Sequence, residues 1–309
     1  MTSGCSDSHR ARRAIDVKGI LLLGGHSCRV SPHVLRSSHY HLDCHNQPVF
    51  TYPLSVIMRM GIREIRMVCS SAEVSEIRDY LEDGSSLGLR LTYAWCEKPQ
   101  GITKTLTDAE EWLEGSSVCL VQGDQLIYGQ QLTELLRNTA RLQTGAEVIA
   151  CRVKEPERYH VIEFDHALRA VGIEEKPEKP RSTYAMTGLA VYDSEVCRMA
   201  RDLKSPTGDE SEFTGLNRAY LKKGELKVKP LGQGITWMEM GHAESVVVAS
   251  LFVQTLEDRT SQKIACLEEI ALEQGAINAS QMEEWIALAG KTEHGRYLRR
   301  VMLQYRSAA

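Results

Sequence analysis

The chain has 309 residues, and its 37 Lys and Arg against 41 Asp and Glu leave a net charge of only −4, so no global field gathers nucleic acid or an anionic membrane. With 42% hydrophobic and 25% charged residues it carries enough apolar material for one large or two ordinary domains, which excludes intrinsic disorder and low-complexity polymers. No apolar run approaches the roughly 18 residues of a membrane helix, the opening MTSGCSDSHRARRA has no apolar centre, and the nine cysteines form no C-x-x-C pair, so a cytoplasmic protein with reduced, mostly core-packing thiols is expected.

Residues 1–16 are polar and read as a flexible N-terminal extension. Val17–Leu23 then forms a short apolar run stopped by Gly24-Gly25, the pattern of a strand buried on both faces of a parallel sheet. A helix is expected over 52–60 and a strand over 64–69. Ser70 with Glu73 makes a capping-box pattern for a helix running to about residue 81. The alternation continues with a strand at 89–94, a helix at 102–113, a strand at 117–121 and a helix at 131–142. Strands separated by helices of this length imply βαβ crossovers and a doubly wound, mostly parallel sheet. From residue 146 to 192 the rhythm tightens to four strand candidates, AEVIACRV, HVIEF, ALRAVGIEE and YAMTGLAVY, which extend the sheet or build a β-rich lobe over it. Beyond Gly241 the pattern is helical, at 242–260, 264–273, 280–288 and 295–304. The expected organisation is an extension at 1–16, an α/β domain at 17–241 and a helical C-terminal appendage at 242–309.

In such a sheet, ligands bind beyond the carboxyl ends of the strands. Two of those ends carry suggestive residues. After the first strand come Gly24-Gly25-His26-Ser27-Cys28-Arg29, where paired glycines either cradle an anion with Arg29 supplying charge or simply turn the chain. After the strand at 117–121 come Gln122-Gly123-Asp124, and a carboxylate in that place is a natural Mg²⁺ ligand. The zinc-ligand types crowded between His26 and His45 lack the paired spacing of a zinc site.

Taken in order, these elements resemble the sugar-nucleotide pyrophosphorylases, and further matches narrow the resemblance to the glucose-1-phosphate thymidylyltransferase family. They are Lys18-Gly19-Ile20 before Gly24-Gly25, Tyr52-Pro53-Leu54-Ser55, Gly123-Asp124 with Tyr128-Gly129, and Glu155-Pro156-Glu157-Arg158-Tyr159. Glu174-Glu175-Lys176-Pro177, Tyr184-Ala185-Met186-Thr187-Gly188-Leu189, and Cys266 with Glu268-Glu269-Ile270-Ala271 follow, so the likeness spans nearly the whole chain. The resemblance implies transfer of a nucleotidyl group from dTTP to glucose 1-phosphate or a related sugar phosphate, giving a dTDP-sugar and pyrophosphate. It places Leu23, Gly24, Gly25 and Gly101 on the nucleotide, with Arg29 and His39 in the catalytic charge set. Gly123, Glu175, Lys176 and Gly188 fall on the sugar and its phosphate, and Asp124 and Glu239 on Mg²⁺. It also implies a homo-oligomer, or a hetero-oligomer with an active relative.

The chain departs from the family pattern at the site. The G-G-x-G-T-R loop has Ser27 and Cys28 in place of its third glycine and its threonine, and His39 stands where a lysine is usual. A histidine of ordinary pKa, about 6.5, is mostly neutral at pH 7, so positive charge is lost there. Glu239 replaces an aspartate, Cys96 a base-reading glutamine, His160 a glycine and Gly208 an arginine. Two accounts follow: a transferase of weakened or altered activity, or a catalytically inactive relative that binds a sugar nucleotide or regulates an active partner subunit.

Overall fold

The computed structural model describes residues 16–23, 40, 42–71, 73–96, 101–167, 169–203 and 211–308. Its centre is strand β1 (Val17–Leu23), flanked in parallel by β4 (Glu64–Ser70) and β6 (Ser117–Gln122), with β5 (Arg90–Cys96) parallel to β4 at the edge. The short pair β2 (Asp43–Cys44) and β3 (Gln47–Pro48) lies outside this sheet. On the far side of β6 runs β11 (Tyr184–Tyr192), antiparallel, and it carries two branches. One is β9 (His160–Phe164) with β10 (Ala170–Glu175), and the other is β8 (Ala146–Arg152) with β12 (Leu226–Pro230). The four closely spaced strands expected between 146 and 192 thus extend the main sheet, which is nine-stranded and mixed around its parallel centre.

The sheet is buried on both faces, and β1 shows why an unbroken apolar run was needed. Val17, Leu21 and Leu23 point into one core, while Ile20 and Leu22 point into the other, as strand alternation requires. Helices α3 (Ile102–Asp108), α6 (Val196–Asp202) and α7 (Ser211–Lys222) cover the second face through Leu106, Val196, Leu216 and Tyr220. The first face is covered by α1 (Thr51–Arg59), whose residues from Thr51 to Met58 are all buried. A helix apolar all round needs partners on every side. Helix α1 has them, packing on β1, β6 and β7 (Gln125–Gly129) as well as α5 (Leu132–Thr139) and α9 (Leu267–Glu273).

The C-terminal helices α8 (Ala243–Thr260), α9, α10 (Ala279–Ala289) and α11 (Glu293–Ala308) lie close to their expected positions and join the same core through Val253, Ile270, Met282 and Leu298. Among the described residues no helix is long and apolar enough to cross a membrane. The six described cysteines form no disulfide with one another, and five of them, including Cys69 and Cys119, are buried as core residues.

Some expected elements differ in detail. The helix at 102–113 is broken at Ala109, where the backbone N–H bonds both Thr105 and Leu106 carbonyls and a separate turn, α4 (Glu110–Leu113), begins. Ser70 remains in β4, so the helix α2 (Val74–Leu81) starts later than a full capping box dictates. Glu73 still accepts from Ser70 N–H at 3.0 Å and Ser70 Oγ at 2.7 Å, holding the strand end to the helix start. Strand β7 and its partner β13 (Ile235–Glu239) are an addition that the rhythm of the sequence did not announce.

Leu21 is fully buried in the central strand, under α1. Leu21→Ala is expected to lower unfolding free energy by roughly 2–5 kcal/mol, read as a lower denaturant midpoint at unchanged slope.

Candidate active site

The site is built at the fork where β6 leaves the sheet. Gly123 N–H donates to Leu22 O at 2.8 Å, which keeps the ends of β1 and β6 together, and Leu23 and Tyr40 close against Gly123. The chain then turns at Asp124 into β7, which pairs antiparallel with β13 so that Gln125 stands opposite Glu239. Met240 N–H donates to Asp124 O at 2.7 Å and locks the fork. A methyl group built on Gly241 would lie 3.2 Å from Asp124 Oδ2 and 4.0 Å from Glu239 Cγ. The Asp124 carboxylate and the side-chain stem of Glu239, distant in sequence, therefore both approach Gly241, with Asp124 almost wholly buried and Glu239 half-buried.

Gln125 orients Asp124. Its side chain is buried, with Nε2 donating to Asp124 Oδ1 at 2.6 Å. Its Oε1 accepts from the Trp237 indole N–H at 2.5 Å and from Gly188 N–H at 3.3 Å. Gly188 sits within β11 where the register with β8 shifts, and a Cβ there would collide with the Gln122 side chain and lie 2.9 Å from Gln125 Cδ. Only glycine lets the two glutamines approach the backbone so closely.

From Trp237 the site continues into the lobe of β9 and β10. The Trp237 ring packs on Tyr159 at 5.2 Å between centroids, and Tyr159 O accepts from Lys176 N–H at 3.0 Å. Lys176 has φ +40°, a left-handed conformation that costs a non-glycine residue roughly 1–3 kcal/mol. Its neighbour Glu175 pairs with His160 across the ladder, both Glu175 and Lys176 are exposed, and His160 Nδ1 lies 2.8 Å from Thr214 Oγ1. Burial raises the Tyr159 hydroxyl pKa, and the negative charge of Glu239 raises it further. Arg158 is held more firmly protonated, first by its bond to Glu155 and in smaller part by Glu239. The charge of Glu239 is thus felt along this aromatic and cationic edge.

Gly101 opens α3. The buried Glu212 of α7 caps that helix, accepting from Thr103 N–H at 2.9 Å and Thr103 Oγ1 at 2.6 Å, and a side chain on Gly101 would run into its carboxylate. Because α7 also carries Thr214, it joins the Gly101 corner to His160.

Leu23, Gly123, Asp124, Gly188 and Glu239 thus form one connected cluster. Glu175 and Lys176 join it through Tyr159, and Gly101 through α7. Gly24, Gly25, Ser27, Cys28, Arg29, His39 and Gly208 lie outside the described residues, as does the side chain of Cys96. Sequence reasoning missed Gln125 as the hub and Glu212 as the cap. A signal for the first was present: Gln122-Gly123-Asp124-Gln125 is a polar block between two apolar runs, and polar residues so placed must find partners.

A nucleotidyl transferase family model matches residues 18–255. The chain is 40% identical over 286 residues to the glucose-1-phosphate thymidylyltransferase of Neisseria meningitidis serogroup A, which spans 93% of this chain and 99% of that protein. Its likeness to the glucose-1-phosphate thymidylyltransferase of Mycobacterium tuberculosis is 34% over 282 residues, 91% of this chain and 98% of that one. Among solved structures, one from Bacillus anthracis described as a glucose-1-phosphate thymidylyltransferase in complex with sucrose superposes with a TM-score of 0.69 at 26% identity, covering 76% of this chain and 94% of that chain. A UDP-glucose pyrophosphorylase with bound UDP-glucose shares the fold, with a TM-score of 0.66 at 17% identity over 78% of this chain and 99% of that one. The chain belongs to the glucose-1-phosphate thymidylyltransferase family of nucleotidyl transferases.

Proposed function

We propose that the protein joins dTTP to glucose 1-phosphate, or a closely related sugar 1-phosphate, to give a dTDP-sugar and pyrophosphate. The observation that carries this reading is the buried Asp124 carboxylate at the strand fork, oriented by Gln125, with the stem of Glu239 close to the same Gly241. A sugar-phosphate oxygen attacks the α-phosphorus of the triphosphate as the bond to the β-phosphate oxygen breaks, and pyrophosphate leaves with that electron pair. Such a reaction asks the protein mainly for alignment and charge neutralisation. Leu23, Gly24, Gly25 and Gly101 are assigned to the nucleotide and Gly123, Glu175 and Gly188 to the sugar. Lys176, Arg29 and His39 are assigned to the phosphates.

Carboxylates are the oxygen donors a hard divalent cation takes, and Asp124 with Glu239, whose strand ends lie side by side at the fork, are the residues that would hold Mg²⁺. Bound there, the ion would offset charge on phosphate oxygens. The Gln125 amide fixes which way the Asp124 carboxylate points. In this reading residues 17–241 carry the chemistry, and residues 242–309 form an appendage that supports assembly into oligomers.

A second reading, an inactive relative that binds the sugar nucleotide, is favoured by Ser27, Cys28 and His39 in the loop sequence. Pyrophosphate release separates the two. With dTTP, glucose 1-phosphate and Mg²⁺, release is expected above background and is lost with a chelator. Asp124→Asn is expected to cut it by about 100-fold or more while the fold persists by circular dichroism. No release from any nucleotide and sugar phosphate, with a Tm rise on adding dTDP-glucose, would establish the inactive reading. His39→Lys combined with Ser27→Gly is expected to raise turnover, because a lysine stays charged at neutral pH.

Gln125→Leu removes the bond to Asp124 and strands the Trp237 and Gly188 N–H groups. The Mg²⁺ concentration for half-maximal activity is expected to rise by about 10–100-fold, with a stability loss of roughly 1–3 kcal/mol, checked by Mg²⁺ titration and denaturant melts.

A further inference from the structure

A cavity of about 510 Å³ lies between α2, the turn at Ser85–Leu87 and the C-terminal helices. Tyr80, Leu87 and Trp285 contribute apolar lining, and Cys266, Glu268 and His294 contribute polar lining. None of these residues belongs to the fork at Asp124. Cys266 immediately precedes α9, Glu268 is in the first turn of α9, and His294 is in the first turn of α11.

The three side chains converge. A thiol sulfur, a carboxylate oxygen and an imidazole nitrogen all lie within 4.8 Å of one another. Cys266 Sγ is 3.3 Å from Glu268 Oε2, and His294 Nε2 is 2.9 Å from Glu268 Oε1. Tetrahedral zinc, with bonds of about 2.0–2.3 Å, separates its ligand atoms by about 3.3–3.8 Å. Side-chain shifts of about 1 Å therefore bring this trio to zinc geometry. The donor set selects among metals as well, since a sulfur and an imidazole suit zinc and disfavour hard Mg²⁺. A thiolate and a carboxylate balance the two charges of the ion, so the group is neutral where Cys266 is buried and the Glu268 side chain only slightly exposed, at 13%.

We propose that Cys266, Glu268 and His294 form a three-ligand zinc site whose fourth position opens into this cavity, tying α11 to α9 and leaving room for water or a small anionic ligand. Formation of the Zn–S bond releases the Cys266 thiol proton to solvent. Helix α9 also packs on α1, the buried helix beneath the central strand, so the ion would brace the appendage against the sheet. This inference does not rest on the transferase activity.

The test uses the purified full-length protein, with Co²⁺ as a spectroscopic probe for zinc. One equivalent of Co²⁺ is expected to give a thiolate-to-cobalt charge-transfer band that zinc displaces, and zinc is expected to raise Tm. Cys266→Ser is expected to lose the band. His294→Ala, at a side chain already 40% exposed, is expected to keep the metal-free fold, weaken Co²⁺ binding by at least about tenfold and lose the zinc-dependent Tm rise. No band with the wild-type protein would overturn the proposal, since the trio is then held by hydrogen bonds alone. A band unchanged in both variants would also overturn it, because the ion is then bound by other cysteines and histidines.

Discussion

The buried amide of Gln125 is the constraint on which the site depends. An unpaired amide in that position costs about 1–3 kcal/mol, so its partners are obligatory once the chain is folded. One end must find Asp124, and the other must find Trp237 and Gly188. Those three partners come from the β6 turn, from β13 and from β11. Satisfying one side chain therefore aligns three elements and sets the direction of the Asp124 carboxylate. The backbone bond from Met240 to Asp124 does the same for the main chain, and together they explain why a two-stranded ribbon is split off at the edge of the main sheet.

Much of the scaffold was legible because burial leaves periodic marks. The apolar run of β1 announced a strand buried on both faces, and its side chains divide between the two cores. The four C-terminal helices were legible from their spacing and lie within a few residues of expectation. The break at Ala109 was not legible, because residues 102–113 keep a helical pattern across it and the tight turn is set by where α3 meets α6 and α7. The β7–β13 ribbon was not legible either: each strand is five residues long, and pairing between positions more than 100 residues apart leaves no local trace.

The candidate site was read in a different way. Asp124, Gly188, Glu175 and Lys176 were named through resemblance, which points to positions without giving their physical reasons. The structure supplies those reasons for the glycines: Gly188 yields space to Gln122 and Gln125, and Gly101 yields space to the Glu212 cap. It also shows that Lys176 sits in a left-handed turn, so its backbone is held by Tyr159 before any ligand arrives. Gln125 escaped because a glutamine carries no charge and no ligand signature, and its importance comes entirely from what surrounds it.

Charge links this architecture to the proposed chemistry. The described cluster holds Asp124, Glu239 and Glu175 against Lys176 and Arg158, so by itself it is anionic and would repel a triphosphate. Arg158 is already engaged by Glu155. In the proposed reading the deficit falls to Arg29 and to a divalent cation, because a histidine in place of the lysine carries no permanent charge. A family site that keeps lysine at that position has a permanent charge in reserve, whereas this one does not. In that reading phosphate binding should depend more steeply on the cation than in relatives with the lysine. A near-neutral protein with no long-range field must then gather its anionic substrates at short range. The orientation of Asp124 by one uncharged glutamine accordingly matters more to this chain than its chemistry alone suggests.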